Sequence, residues 1–222
     1  MTGESSADAR LRVQSIIEIL DREYPDARCT LDFKTPHQLL VAAILAAQCT
    51  DERVNLTTPK LFARYPDVEA FAAADPAELE EIIKPTGFFR NKTKAVIQSA
   101  REIVDRFGGV VPDSMDDLVS LSGVGRKTAN LIVGVAYGKP SVIVDTHVKR
   151  VSARLGLTNQ KDPDKIETDL RAVLPEEDAT RFNHLLVAHG RTVCKAPTPR
   201  CEVCKLVELC PHGRQRTGRS AL

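Results

Sequence analysis

Apolar residues return every three or four positions along almost the whole chain, beginning with Val13, Ile16, Ile17 and Leu20, the spacing of a helix with one buried face. Thr35-Pro36, an N-cap followed by proline at the first helical position, opens the apolar stretch from Leu39 to Ala47. A further helix is predicted over Glu52 to Tyr65, with Pro59 expected to kink or divide it. Asp75-Pro76 opens Ala77 to Ile83, and Pro85-Thr86-Gly87 closes it. Asn91 to Phe107 follows as a long amphipathic helix stopped by Gly108-Gly109. Asp113 or Ser114 starts a short helix ending near Leu121, and Gly123-Val124-Gly125 turns the chain directly into another, Arg126 to Tyr137. Val142-Ile143-Val144 is the one strand-like run, too short and solitary to build a sheet. Helices are predicted from Thr146 to Leu155, Pro163 to Leu174 and Ala179 to Val193. The pattern is that of an all-α protein without internal repeat or low-complexity linker.

Composition narrows the class. The 222 residues are 42% apolar and 27% charged, which argues against a disordered, collagenous or membrane protein. The longest apolar run, Leu39 to Ala47, falls well short of the roughly 20 residues that span a bilayer. The polar start Met1-Thr2-Gly3-Glu4-Ser5-Ser6 does not resemble an export signal, so a cytoplasmic location is expected. The six cysteines then read as reduced thiols or metal ligands rather than a disulfide framework.

A net charge of +1 names no partner, but the charges are unevenly placed. Residues 84 to 107 hold Lys84, Arg90, Lys92, Lys94, Arg101 and Arg106 against Glu102 and Asp105. Residues 189 to 222 hold Arg191, Lys195, Arg200, Lys205, Arg214, Arg216 and Arg219 against Glu202 and Glu208. Residues 66 to 81 carry carboxylates and no cation. Two readings stand: a positive face for phosphates, or a solvated mixture of surface charges.

Three local constellations carry chemistry. In Leu121-Ser122-Gly123-Val124-Gly125-Arg126-Lys127, a helix, a Gly-x-Gly turn and a second helix aim free backbone N–H groups at an anion. Both glycines are expected to take dihedrals closed to other residues and to let a phosphate approach. The same pattern also suits a simple helix–helix connection. Arg126 and Lys127 place cations at the positive end of a helix, unfavourable by about 0.3–1 kcal/mol each unless an anion binds there. Lys127 is either a phosphate-contacting lysine or a nucleophilic amine. In Val142-Ile143-Val144-Asp145-Thr146-His147, Asp145 is placed to N-cap the next helix and also to assist proton transfer or steady a cationic sugar, while His147 suits a structural role. In Cys194-x6-Cys201-x2-Cys204-x5-Cys210, four thiols form a closed ligand set whose spacing fits zinc and an iron–sulfur cluster equally. The intervening Lys195 to Arg200 reads as a proline-stiffened, projecting basic loop. Cys29 and Cys49 read as small apolar residues.

Taken together, Leu121 to Asn130, Val144-Asp145-Thr146-His147, His189-Gly190-Arg191 and the four-cysteine pattern resemble the endonuclease III family of the helix-hairpin-helix superfamily, over roughly residues 10 to 212. The resemblance implies two helical parts flanking a DNA-binding cleft. One is a six-helix domain over residues 29–139, with the hairpin at about 114–137. The other comprises 1–28 and 140–222 and carries a [4Fe-4S] cluster on Cys194, Cys201, Cys204 and Cys210. It implies a monomeric base-excision repair enzyme of the bacterial cytosol or nucleoid, acting on double-stranded DNA with damaged bases or abasic sites. Such an enzyme removes damaged, chiefly oxidised, pyrimidines as a glycosylase and cuts 3′ to the abasic site as a lyase. Lys127 would be the nucleophile and Asp145 its partner, with DNA contacts from Gln48, Phe88, Gly123, Gly125, Arg126, His147, Arg191, Lys195 and Arg200. Two departures stand out. Ser122 replaces a usual proline and is expected to loosen the turn, and Phe88 replaces a leucine that wedges into the opposite strand.

Overall fold

The computed structural model describes residues 5–219, and among them there is no strand. The chain divides into two compact units, residues 29–139 and residues 1–28 with 140–222. No helix among the described residues is long and apolar enough to cross a membrane.

The 29–139 unit holds α2 (Pro36–Leu45), α3 (Asp51–Arg64), α4 (Val68–Ala72), α5 (Pro76–Ile83), α6 (Phe89–Phe107), α7 (Met115–Val119) and α8 (Arg126–Leu131). Thr35, Thr50, Asp67, Asp75 and Ser114 each N-cap the helix that follows, their side-chain oxygens accepting an amide of the first turn. Helix α4 is not anticipated by the pattern, because five residues are too few to show a helical period. Pro59 does not divide α3, which runs unbroken from Asp51 to Arg64. The proline costs only the amide that would have met the Asn55 carbonyl, and buried Val54, Thr57, Thr58 and Leu61 keep the helix on the core. Helix α6 is the axis of the unit, with α4 and α5 packed along it. It ends at Gly108 and Gly109, both at positive φ, where the Gly109 amide reaches back to the Ile103 carbonyl. Leu39, Leu40, Leu45, Leu61, Leu79, Ile83, Ile103 and Leu118 are fully buried, each stabilising by about 1.5–3 kcal/mol.

The other unit holds α1 (Ser6–Glu23), α9 (Thr146–Arg154), α10 (Pro163–Val173), α11 (Ala179–Thr192) and α12 (Pro211–Thr217). Helix α11 packs on α9 and α1, joining Val13, Ile16, Leu20, Val148, Val151, Phe182, Leu185 and Leu186 in one apolar core. Val142 to Val144 forms neither helix nor strand. Between α11 and α12 the chain has only two single turns, Cys201–Val203 and Val207–Leu209.

Candidate functional site

The hairpin in the 29–139 unit is built by α7, the turn and α8. Gly123 has φ +76°, and a Cβ there would lie 2.6 Å from the Ala95 Cβ, so both backbone and space demand glycine. Gly125 differs from expectation. Its φ of −90° is open to any residue, and no atom lies within 4 Å of an added Cβ. What glycine leaves there is open space beside the start of α8, whose first turn has no side-chain cap. Ser122 does not loosen the turn. Its amide and hydroxyl donate to the two carboxylate oxygens of Glu102 at 2.7 and 2.8 Å, and the amide bond is one a proline could not make. Arg126 and Lys127 occupy the first turn of α8, both exposed. Lys127 makes no hydrogen bond or ion pair with a described residue. Beyond Leu131 the helix widens to a π-turn over Ile132–Ala136, a departure common at functional sites.

Gln48 and Phe88 also lie in this unit, after α2 and just before α6. Among the described residues they are the only non-glycine positions with positive φ, 53° and 49°. Both are exposed, Phe88 by 62%. A left-handed backbone at an exposed phenylalanine costs about 1 kcal/mol or more and marks a segment held by its surroundings.

The basic run over 84–107 is largely committed within the fold. Lys84 pairs with Glu81 at 3.1 Å, Arg101 donates to the Ala72 carbonyl and Arg106 to the Ser120 hydroxyl. Lys92 is buried. Arg90 and Lys94 are exposed.

In the other unit, Asp145 caps α9, its Oδ1 accepting the Val148 amide at 2.7 Å. The residue is half-buried. His147, one turn on, accepts from Arg150 at Nδ1 (3.1 Å) and packs on Gly190, where an added Cβ would meet that nitrogen at 2.9 Å. Burial pushes the His147 imidazole below its ordinary range, with Arg150 and Arg191 adding to the shift and Asp145 opposing it. Arg191 is exposed.

Cys194, Cys201, Cys204 and Cys210 all line one small pocket, with Arg154, His189, Leu206 and Gly213 among its other walls. Cys201 and Cys210 are buried, Cys194 and Cys204 half-buried. Burial, with the other three thiols adding to it, pushes Cys204 up to about 11. Among the described residues no three Cys, His, Asp or Glu converge on a single metal ion. Four thiols around one pocket form a donor set that fits a group held by thiolates. The sulfurs have hydrogen-bonding neighbours: the Gly213 amide and Cys210 (3.3 Å), Arg154 and Cys194 (3.3 Å), His189 Nε2 and Cys204 (3.6 Å). The Tyr24 hydroxyl holds the other ring nitrogen of His189 at 3.1 Å.

The loop between the first two thiols is less free than its prolines imply. Arg154 donates to the carbonyls of Cys194, Lys195 and Pro197 at 3.3, 2.8 and 3.1 Å, and Arg150 to that of Cys194 at 3.2 Å. Pro199 is buried, while the Lys195 and Arg200 side chains remain exposed. Cys29 and Cys49 are half-buried against the apolar core of their own unit.

Sequence reasoning missed Lys92, Glu102, Arg150 and Arg154 as site-building residues. Lys92 left one signal: it falls in register with Val96, Ser99 and Ile103, on the buried stripe of α6. Nothing in the sequence ties Glu102 to Ser122 or Arg154 to the cysteine loop.

The helix, Gly-x-Gly turn and helix define a class: residues 41–176 match the family model of the HhH-GPD superfamily base excision DNA repair proteins. The chain is 52% identical to an endonuclease III of Synechocystis over 209 residues, 94% of this chain and 95% of that one. It is 42% identical to an endonuclease III of Bacillus subtilis, over 92% and 94% of the two chains. Its backbone matches a trapped endonuclease III–DNA covalent intermediate, an estranged-adenine complex, with a TM-score of 0.87 and 38% identity, over 94% of this chain and 98% of that one. The match to a non-covalent endonuclease III–DNA complex also has a TM-score of 0.87, at 37% identity over 95% and 99%. The chain belongs to the endonuclease III family, the DNA glycosylases and abasic-site lyases of base excision repair.

Proposed function

We propose that the protein removes damaged, chiefly oxidised, pyrimidines from double-stranded DNA and cleaves the resulting abasic site through a Schiff base on Lys127. The observation that carries this is an exposed lysine whose side chain has no partner among the described residues, in the uncapped first turn of the helix that follows the hairpin. The open space at Gly125 and the uncapped amides of α8 suit a backbone phosphate. Gln48 fills the gap left by the extruded nucleotide and Phe88 wedges into the opposite strand. Arg126, His147, Arg191, Lys195 and Arg200 contact the phosphates, with Gly123 letting the backbone approach.

The neutral Lys127 amine attacks the sugar C1′, the bond from C1′ to the base breaks, and the base leaves with that electron pair and a proton. Asp145, its carboxylate held by the Val148 amide, assists the proton transfers and steadies positive charge on the sugar. The nitrogen lone pair then expels the ring oxygen: the C1′–O4′ bond breaks, O4′ takes a proton, and the resulting C1′ iminium acidifies the 2′ hydrogen. Loss of that proton drives electrons toward C3′, the C3′–O bond breaks and the 3′ phosphate departs. Water then hydrolyses the imine and frees Lys127. An activated water in place of lysine would give no imine and so no strand cleavage by this route.

Cys194, Cys201, Cys204 and Cys210 would hold a [4Fe-4S] cluster that ties the C-terminal loop together and takes no part in the reaction. The enzyme works as a monomer in the bacterial cytosol or nucleoid. The test is borohydride reduction in the presence of a duplex with one abasic site. A covalent adduct is expected with the wild type and none with Lys127→Ala. Adduct formation by Lys127→Ala at the wild-type rate would overturn the assignment.

A further inference from the structure

Lys92 is 4% exposed, yet its ammonium group has no carboxylate partner among the described residues. Its Nζ donates to two backbone carbonyls, Leu45 at 2.8 Å and Thr86 at 2.7 Å. Burial pushes this lysine below its ordinary range, with the nearby Cys49 thiol opposing the shift. A buried cation without a counter-charge is costly, and an apolar residue of similar shape would pack in its place at no such cost.

The two acceptors explain what the charge does. Leu45 is the last residue of α2, and three residues later comes Gln48 at φ 53°. Thr86 ends the turn after α5, and two residues later comes Phe88 at φ 49°. Each carbonyl therefore lies at the root of a short segment that ends in an exposed residue with left-handed backbone. Thr86 is itself buried, its hydroxyl donating to the Ile83 carbonyl at 2.8 Å, which leaves its own carbonyl free to face Lys92. Lys92 sits one turn into α6, the longest helix of the unit, so both roots are fastened to a rigid element. The Phe88 carbonyl also accepts the Lys92 amide at 3.1 Å, joining the wedge segment to the helix by backbone as well.

We propose that Lys92 is a positioning residue: its ammonium group is a strut that sets the separation of Gln48 and Phe88, and thereby the ability of the protein to hold a nucleotide out of a duplex. This rests on the roles given above to those two residues. The strut matters only where a stack must be opened, because a single-stranded abasic site needs neither a wedge nor a filled gap.

The test uses the full chain and Lys92→Met, which keeps the aliphatic stem and removes the donors. Single-turnover cleavage of an abasic duplex is expected to fall at least tenfold. Borohydride capture of an abasic site in a single-stranded oligonucleotide is expected to stay within about twofold of wild type. Hydrogen exchange should rise in residues 46–49 and 84–88 and stay unchanged in the hairpin. In a Gln48→Ala/Phe88→Ala background, Lys92→Met should add no further loss on the duplex. Equal losses on single and double strands, or a further loss in that background, would overturn the proposal. If Lys92→Met fails to fold, Lys92→Gln, with a shorter stem and two N–H donors, carries the same readouts. If the wild type captures neither substrate, the Lys127 assignment fails instead, and unchanged exchange in the two segments would independently rule out the strut.

Discussion

The two units fasten their functional segments by different means. In the 29–139 unit the fixing groups come from one helix, α6: Lys92 holds two carbonyls, Ala95 fills the space under Gly123 and Glu102 takes both donors of Ser122. These contacts sit on a continuous apolar core, so their geometry is set by close packing. In the other unit the cysteine loop is held by Arg150 and Arg154, which reach across from α9 to main-chain carbonyls, with thiols on the inner side. Charge-assisted hydrogen bonds replace apolar contact where the chain has only single turns. The Gly123 turn is thus built on packing, and the cysteine loop on long-armed donors to its main chain.

The largest break in this comparison is expected at Gly123. Gly123→Ala adds left-handed strain and a collision with Ala95, and should cost about 3 kcal/mol in thermal or denaturant unfolding while leaving visible iron–sulfur absorbance intact. Gly125→Ala, at an ordinary φ in open space, should change stability by less than about 1 kcal/mol. Arg154→Met should act on the other unit. Losing donors to three carbonyls at a half-exposed site costs about 1–2 kcal/mol, and iron release to a chelator should quicken with hairpin exchange unchanged.

The smallest effect at neutral pH belongs to His37, buried against Phe71 with its pKa pushed down to about 4 by desolvation, Asp67 partly opposing. Because the folded value lies below the unfolded one, the unfolded chain binds the extra proton. Stability is therefore full above about pH 6.5 and falls as pH drops towards 4, by up to about 1.4 kcal/mol per pH unit. His37→Leu should flatten that slope in pH-dependent unfolding. An unchanged slope would show that His37 is already charged in the folded chain.

The sequence displayed much of the fold because most helices announce themselves: Thr35-Pro36, Asp75-Pro76 and the Gly108-Gly109 stop mark ends that the structure keeps within a few residues. The candidates Lys127, Asp145 and the four cysteines stood out for a related reason, since each belongs to a compact local pattern. What stayed hidden was contact between segments distant in sequence. Glu102 meets Ser122 across 20 residues and Lys92 meets Leu45 across 47, and no periodicity encodes such pairs. Helix α4 and the π-turn over Ile132–Ala136 were hidden for a third reason: both are short adjustments to packing that leave no repeat behind.

Positions 92, 95, 99 and 102 form one stripe down α6, and that stripe works as a ruler. It carries at one end the strut for Gln48 and Phe88 and at the other the anchor of Ser122, with Ala95 between them at Gly123. One residue inserted or deleted between 93 and 101 would turn the far mark about 100° from the near one. Both ends would then be misread at once, however conservative the inserted side chain. The number of residues in α6 between these marks therefore matters as much as the side chains that stand at them.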